Sequence, residues 1–354
     1  MSKYITNIKS QTILIDGVQF TPDKLDGLES DLREFLIEWF NERETVEVHT
    51  SGSTGTPKEM CVEKARMMNS AVMTLSFLNL KKGDTALLCL PLRYIAGKMM
   101  VVRALVGGLN LIPLCPSGHP VAAIENIPDF AAMIPMQVFN SMCIQEEAEK
   151  LRQVKHLIIG GGAIDDKLEK ILKDFPNDVW STYGMTETLS HIALRKINGK
   201  DAEEWYTPFP NITLNYSNEG TLIIDAPAVY PHPLVTNDLV EFNEKGQFRI
   251  LGRKDNTINT GGIKVQIEQI EAALKPFIPY PFLITSAPDE KFGERVVLLI
   301  ETQRSEQDIQ TFLENAALCT PDYWIPKQII RVSSIPQTET GKPDRARAKR
   351  IAAD

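Results

Sequence analysis

The sequence predicts an α/β protein. A large N-terminal domain carries mostly parallel sheet flanked by helices plus a β-rich subdomain, and a small mobile α+β domain follows at the C-terminus. Three observations carry this expectation. Strand-like aliphatic runs alternate with stretches of helical spacing between residues 62 and 184, short strands with tight turns follow after residue 205, and the polar pentapeptide "GRKDN" at 252 to 256 opens a third texture. A chain of 354 residues can bury a sizeable core and make two domains. Their expected bounds are 1–252 and 253–354.

In chain order, Thr45 to Val48 is a short β-branched stretch and reads as a strand, with "HTSGSTGTPKEM" (49 to 60) behind it as a loop handing over to a helix. From Val62 to Leu80 apolar positions recur at helical spacing, and "KKGD" closes that run. Strand candidates follow at 85–90, 109–114, 129–134, 155–160 and 178–184, with helical stretches near 96–106, 136–150 and 165–174. Such alternation is the mark of an open, mostly parallel sheet. "SNEG" ahead of "TLIID", and "NEKG" between "DLVEF" and "QFRIL", are turns of the β-rich subdomain. Beyond residue 256 the order of signals is strand, helix, strand, strand, helix, strand.

Composition narrows the function classes. A hydrophobic content of 43% and a charged content of 24% fit an ordinary globular protein. The net charge of -8 argues against general nucleic-acid binding, which wants a basic surface. The N-terminal "MSKYITNIKSQTILIDG" has no apolar h-region, and the apolar stretch from Met99 to Pro116 is interrupted by Arg103, glycines and proline. Neither export nor a membrane span is expected, and the expected compartment is the cytoplasm. Cys61, Cys89, Cys115, Cys143 and Cys319 form no C-x-x-C pair and are expected to be small core hydrophobes in a reducing compartment. The five histidines are scattered, which speaks against a histidine-built metal site.

The chemistry-bearing segments begin with "TSGSTGTPK". Its glycines let backbone N–H groups approach an anion, its hydroxyls add donors, and Lys58 adds charge. The spacing is not that of a Walker A loop, since only two residues separate Gly52 from Gly55 and Pro57 precedes Lys58. Alone, such a cluster reads first as a polar surface turn. "GGGAI" (160 to 164) ends a strand, where Gly161 and Gly162 would admit a flat ligand or simply make a turn. "STYGMTE" (181 to 187) ends another, with Tyr183 able to stack on a purine, Thr186 to bond a phosphate and Glu187 to hold Mg²⁺. Asp238 and Arg253 sit at strand margins and suit a ribose diol or a surface ion pair. "PQTETGKPDRARAKR" (336 to 350) sets Lys342 between Gly341 and Pro343 in a turn-rich segment that is otherwise a solvated tail.

Taken in this order, from residue 45 to residue 350, the segments resemble the acyl-CoA synthetase and adenylate-forming (AMP-binding) enzyme superfamily. The pattern T-S-G-S-T-G-x-P-K is matched at every fixed position and Y-G-x-T-E by "YGMTE". T-G-D appears as "TND", G-R-x-D as "GRKD", G-G-x-x-V-x-x-x-x-I-E as "GGIKVQIEQIE" and the near-terminal G-K as "GKP".

The resemblance implies ATP, Mg²⁺ and CoA as cofactor and co-substrates, and an acyl-adenylate intermediate. It puts Thr50, Ser51, Gly52, Ser53, Thr54, Gly55 and Lys58 on the outgoing pyrophosphate. It puts the Gly161, Gly162 and Ala163 backbone beside the adenine, Tyr183 stacked on it, Gly184 among the ATP/AMP contacts, and Asp238 and Arg253 on the ribose. Thr186 and Glu187 act on phosphate and metal, and Lys342 bridges carboxylate and α-phosphate. Asp255 is implied as the hinge, and Gly261 and Gly262 as the CoA contact.

"LPLRYIAGKMMVVRAL" (90 to 105) and "ETLSHIALR" are similar to o-succinylbenzoate-CoA ligases of menaquinone biosynthesis, which places Arg103, Ser190 and His191 at the acyl substrate. Arg103 as a helix-surface residue and His191 as a satisfied core histidine stay open beside that reading. The departures are Tyr94 where those ligases carry His, Asn237 for the glycine of T-G-D, and only 49 residues ahead of Thr50. The short leader puts the outer wall of the acyl pocket in doubt. The alternatives are another aryl or short acyl acid, a carrier-loading adenylation domain, or a non-catalytic nucleotide-binding remnant. Partners are expected to be small molecules only, with the oligomeric state open.

Overall fold

The computed structural model describes residues 6–49, 59–338 and 342–353. Its centre is a nine-stranded sheet in the order Thr207–Pro208, His191–Lys196, Asp178–Gly184, His156–Ile159, Phe130–Met133, Thr85–Leu88, Asn110–Pro113, Ile13–Ile15, Val18–Phe20. The inner neighbours from Asp178–Gly184 to Ile13–Ile15 pair in parallel, and the outer strands pair antiparallel at both edges. The α/β expectation is met, and each of the five expected central strands is present.

From Thr85–Leu88 the chain first crosses to Asn110–Pro113 on one side and then returns to Phe130–Met133 on the other. This reversal of strand order leaves a crevice at the carboxyl ends of the strands, the usual place for a ligand in an open α/β sheet.

The helix Ile95–Gly107 covers this sheet and buries ten of its thirteen residues, which is why its sequence is apolar on nearly every side, Lys98 and Arg103 being the charged exceptions. It stops at Gly108, whose φ of 64° is the left-handed conformation that caps helices. Among the described residues no helix is long and apolar enough to cross a membrane.

A four-stranded antiparallel sheet, Thr213–Tyr216, Thr221–Asp225, Leu234–Phe242 and Phe248–Arg253, forms the β-rich subdomain. The C-terminal part holds a five-stranded sheet with helices Ile267–Leu274, Glu306–Ala317 and Arg345–Ala353. Two buried apolar clusters draw on residues up to Phe248, and two others on residues from Ile258 onward.

Three expectations need correction, and two elements were not foreseen. The segment after Val48 does not pass from strand to helix. Thr45–His49 pairs antiparallel with Glu59–Glu63 in a separate two-stranded sheet, and the helix begins only at Lys64. "EMCVE" buries only Val62, an alternation that suits a strand. The helical stretch at 136–150 is two helices, Pro135–Met142 and Gln145–Gln153, with Glu146 and Glu147 in the first turn of the second, where the helix dipole favours acids. The cysteines are not all core: only Cys89 is buried, and Cys61, Cys115, Cys143 and Cys319 are exposed free thiols. The helix Ser30–Phe40 and the hairpin Ile13–Ile15 with Val18–Phe20 were not anticipated, although Asp16-Gly17 at its turn, both with positive φ, is a hairpin signal.

Candidate active site

A cavity of about 410 Å³ opens at the carboxyl ends of the parallel strands. Leu90, Met133, Gly160, Gly161 and Gly184 come from strand ends, and Arg103, Thr186, Ser190, His191 and Lys342 bring the polar chemistry. Gly162 and Ala163 follow Gly161 as exposed residues of the same turn. Gly184 is needed for close approach: a Cβ there would lie 2.3 Å from the Ser190 carbonyl oxygen and 2.5 Å from His191 Cα. That contact lets the chain turn back so that Ser190 and His191 also face the cavity.

Arg103 is 2% exposed, and burial pulls its pKa down to about 9. Its Nη2 donates to Ser190 Oγ at 2.6 Å, its Nη1 lies 3.5 Å from Met100 Sδ, and its buried Nε has no partner among the described residues. No carboxylate of the described residues balances this charge. His191 lies 3.2 Å from Ser190 Oγ through Nδ1 and 3.0 Å from Thr74 Oγ1 through Nε2. Burial first, and Arg103 second, push its pKa well below the ordinary value, so the ring is neutral. Arg103 is therefore not a surface residue, and His191 is both hydrogen-bonded in the core and on the cavity wall.

The turn from Met185 to Ser190 is built by Thr188, whose Oγ1 accepts from the Met185 N–H at 3.0 Å and donates toward the Met185 and Ser190 carbonyls. This holds Thr186 on the cavity wall with Glu187 half-buried beside it. Among the described residues no group of three or more His, Cys, Asp or Glu side chains could hold a metal ion. A divalent ion here would be shared by one carboxylate and the phosphates it accompanies, a pattern that suits Mg²⁺.

Asp238 and Arg253 face each other across antiparallel strands, with Arg253 Nη1 donating to Asp238 Oδ1 at 3.2 Å. Tyr183 donates its hydroxyl to Asp238 Oδ2 at 2.5 Å, and its ring meets Phe248 edge-on. Tyr183 is only 6% exposed, so stacking on a purine rests on a small part of the ring. The rest of the Arg253 guanidinium forks onto Asp255 at 2.9 and 2.8 Å, and the bond to Asp255 is the first cause of its raised pKa. The expected hinge and ribose residues thus form one network.

Lys342 reaches the cavity from the C-terminal part of the chain. Burial, then the charge of Arg253, lowers its pKa. Gly261 and Gly262 form the two-residue turn of the hairpin Thr257–Thr260 with Ile263–Gln266, with φ of 61° and 83°, and do not line the cavity. In the basic tail, Arg345 is forked onto Glu271 and Lys349 bonds Glu294. The expected phosphate contacts Thr50, Ser51, Gly52, Ser53, Thr54, Gly55 and Lys58 lie outside the described residues.

Sequence reasoning missed Tyr94, Ser117, Met136 and Gln137 on the cavity wall. Tyr94 was legible as the residue that departs from the ligase pattern. Gln137 carried no signal, since its role is to hold the loop by donating to the Cys89 and Ser117 carbonyls at 3.2 and 2.9 Å.

The family model for AMP-binding enzyme matches residues 37–228. A 2-succinylbenzoate--CoA ligase of Listeria monocytogenes is 25% identical over 89% of this chain and 72% of its own length. The corresponding ligase of Geobacillus kaustophilus is 26% identical over 86% of this chain and 68% of its own. Among solved structures, an acyl-CoA synthetase (AMP-forming)/AMP-acid ligase II-like protein from Dyadobacter fermentans superposes with a TM-score of 0.63 at 31% identity, covering 93% of this chain and 97% of that one. The o-succinylbenzoate CoA synthetase of Bacillus subtilis in complex with its acyl-adenylate shares the fold, with a TM-score of 0.70 at 19% identity over 86% of this chain and 68% of that one.

Proposed function

The chain belongs to the AMP-binding enzyme family, and from that premise we propose that it is an ATP- and Mg²⁺-dependent acid-CoA ligase acting on o-succinylbenzoate. The observation that carries the reading is Arg103, a buried guanidinium on the cavity wall without a carboxylate partner among the described residues. An unpaired buried charge is costly, and an anionic substrate group would offset that cost. Lys342 lines the same cavity, so an acid with two carboxylates meets a cation for each. The 2-succinylbenzoate ligases among the relatives support that choice of acid.

In the first half-reaction a carboxylate oxygen attacks the α-phosphorus of ATP, the bond to the pyrophosphate oxygen breaks, and an acyl-adenylate forms. Lys342 would offset the repulsion between the two anions as they meet, and Thr186 would donate to the phosphate. Bound Mg²⁺, held by Glu187, would supply further neutralisation of phosphate charge. Ser51 to Lys58 would hold the leaving pyrophosphate, and Gly161 to Ala163 the adenine edge. Asp238 would accept from the ribose hydroxyls beside Arg253, since each carboxylate oxygen keeps a lone pair after its bond to Tyr183 or Arg253.

In the second half-reaction the CoA sulfur attacks the acyl carbon, the bond to AMP breaks, and the thiol proton is lost. Rotation at Asp255 would withdraw Lys342 and bring the Gly261–Gly262 turn toward CoA. Pyrophosphate release across a panel of carboxylic acids, with and without CoA, tests the proposal. The expected result is release that is greatest with o-succinylbenzoate, with thioester formed only when CoA is present. Selection of another acid would move the substrate assignment. Adenylate formation without transfer to CoA would turn the reading toward a carrier-loading enzyme.

A further inference from the structure

We propose that Thr74 is a positioning residue for the acid site, setting the tautomer of His191 and through it the hydrogen bond by which Ser190 holds Arg103. The inference rests on the reading of Arg103 as the anion-binding group of that site. Thr74 lies on the helix Lys64–Phe77, is fully buried and does not line the cavity. Any influence it has on the acid must pass through the ring.

Counting hydrogens gives the chain its direction. A guanidinium only donates, so Ser190 Oγ accepts from Arg103 Nη2 at 2.6 Å. The single hydroxyl hydrogen of Thr74 goes to the Ser70 carbonyl at 3.3 Å, one turn back along its own helix. Its oxygen then accepts from His191 Nε2 at 3.0 Å. A neutral imidazole carries one N–H, so Nδ1 is an acceptor and Ser190 donates its hydroxyl to it at 3.2 Å. Every hydrogen is used once, from the guanidinium to a helix carbonyl. A hydroxyl that donates is polarised into a better acceptor, so Ser190 grips Nη2 more firmly while Nε, without a partner among the described residues, is left to the acid. Reversal of the ring would put two donors, Nδ1–H and Nη2–H, on one Ser190 oxygen.

The test uses the full chain labelled with ¹⁵N-histidine, with NMR reading which ring nitrogen of His191 carries the proton. Steady-state constants are measured with the acid that gives most pyrophosphate. The wild type is expected to show Nε2–H. Thr74→Val, nearly equal in volume, should move the proton to Nδ1 and raise the KM for the acid about three- to tenfold, the effect of one net hydrogen bond. The KM for ATP should hold. Thr74→Ser should restore both the tautomer and the KM. A wild-type Nδ1–H ring overturns the proposal, as does a valine variant in which tautomer and acid KM fail to move together. If Arg103→Leu leaves the acid KM unchanged while the tautomer still follows Thr74, the Arg103 reading has failed and the tautomer assignment stands.

Discussion

Asp238 and Arg253 occupy directly opposed positions on two antiparallel strands, joined at 3.2 Å, and the remaining bonds of each reach Tyr183 and Asp255. One carboxylate thus connects the end of the parallel sheet to the start of the C-terminal part.

Asp238→Asn keeps the shape and removes the charge that Arg253 faces. The KM for ATP should rise about tenfold, the range of a charge-assisted hydrogen bond, while the KM for the acid holds. Preference for ATP over its 2′-deoxy form should shrink. An unaltered ATP constant with full deoxy discrimination would remove Asp238 from the ribose site.

Arg103→Leu should weaken acid binding and leave ATP binding intact, because Arg103 is a buried charge on the cavity wall that the proposed function assigns to the acid. Titration calorimetry with each substrate separates the two. The variant should also gain stability, since replacing a buried cation that has no carboxylate partner among the described residues by an apolar side chain removes its desolvation cost. A lower melting temperature together with unchanged acid affinity would show that Arg103 serves packing alone.

Lys342→Ala should slow pyrophosphate release by roughly 10²- to 10³-fold, while a pre-made acyl-adenylate still reacts with CoA near the wild-type rate. The lysine also gives a pH test. Burial and Arg253 hold its pKa below the ordinary lysine value, so adenylation by the free enzyme should fall with rising pH through a pKa below 10.5. The thioester step should lack that limb. For folding the sign is opposite: between the lowered folded pKa and the unfolded one the unfolded chain binds more protons, so this group adds stability as pH rises there. Equal loss of both half-reactions with an intact melting curve would rule out the proposed role.

Asp255→Pro fixes φ and removes an N–H at the expected hinge. Adenylate formation should persist while transfer to CoA collapses. Because Asp255 also forks onto Arg253, Asp255→Ala is the control, expected to lose that ion pair and keep rotation. If proline and alanine affect both half-reactions alike, the segment is not the pivot.

The sequence by itself determined the parts that repeat locally. Alternation of aliphatic runs with helical spacing carries the parallel sheet, because strand and helix periodicities are properties of neighbouring residues. The motifs that carry the family resemblance also singled out Thr186 and Lys342, which line the cavity, and Asp238 and Arg253, which pair with each other, before any contact was visible.

Tertiary structure alone decided what depends on partners distant in the chain. That "EMCVE" pairs with Thr45–His49 instead of opening a helix follows from a ladder between two segments, and the exposure of four cysteines from which surfaces their elements leave uncovered. The lack of a counter-charge for Arg103 among the described residues is a fact about the side chains packed around it. Thr74 had no signal at all: it reaches His191 across 117 positions of sequence, and a hydrogen-bond direction is fixed only when all donors and acceptors in the chain are assembled.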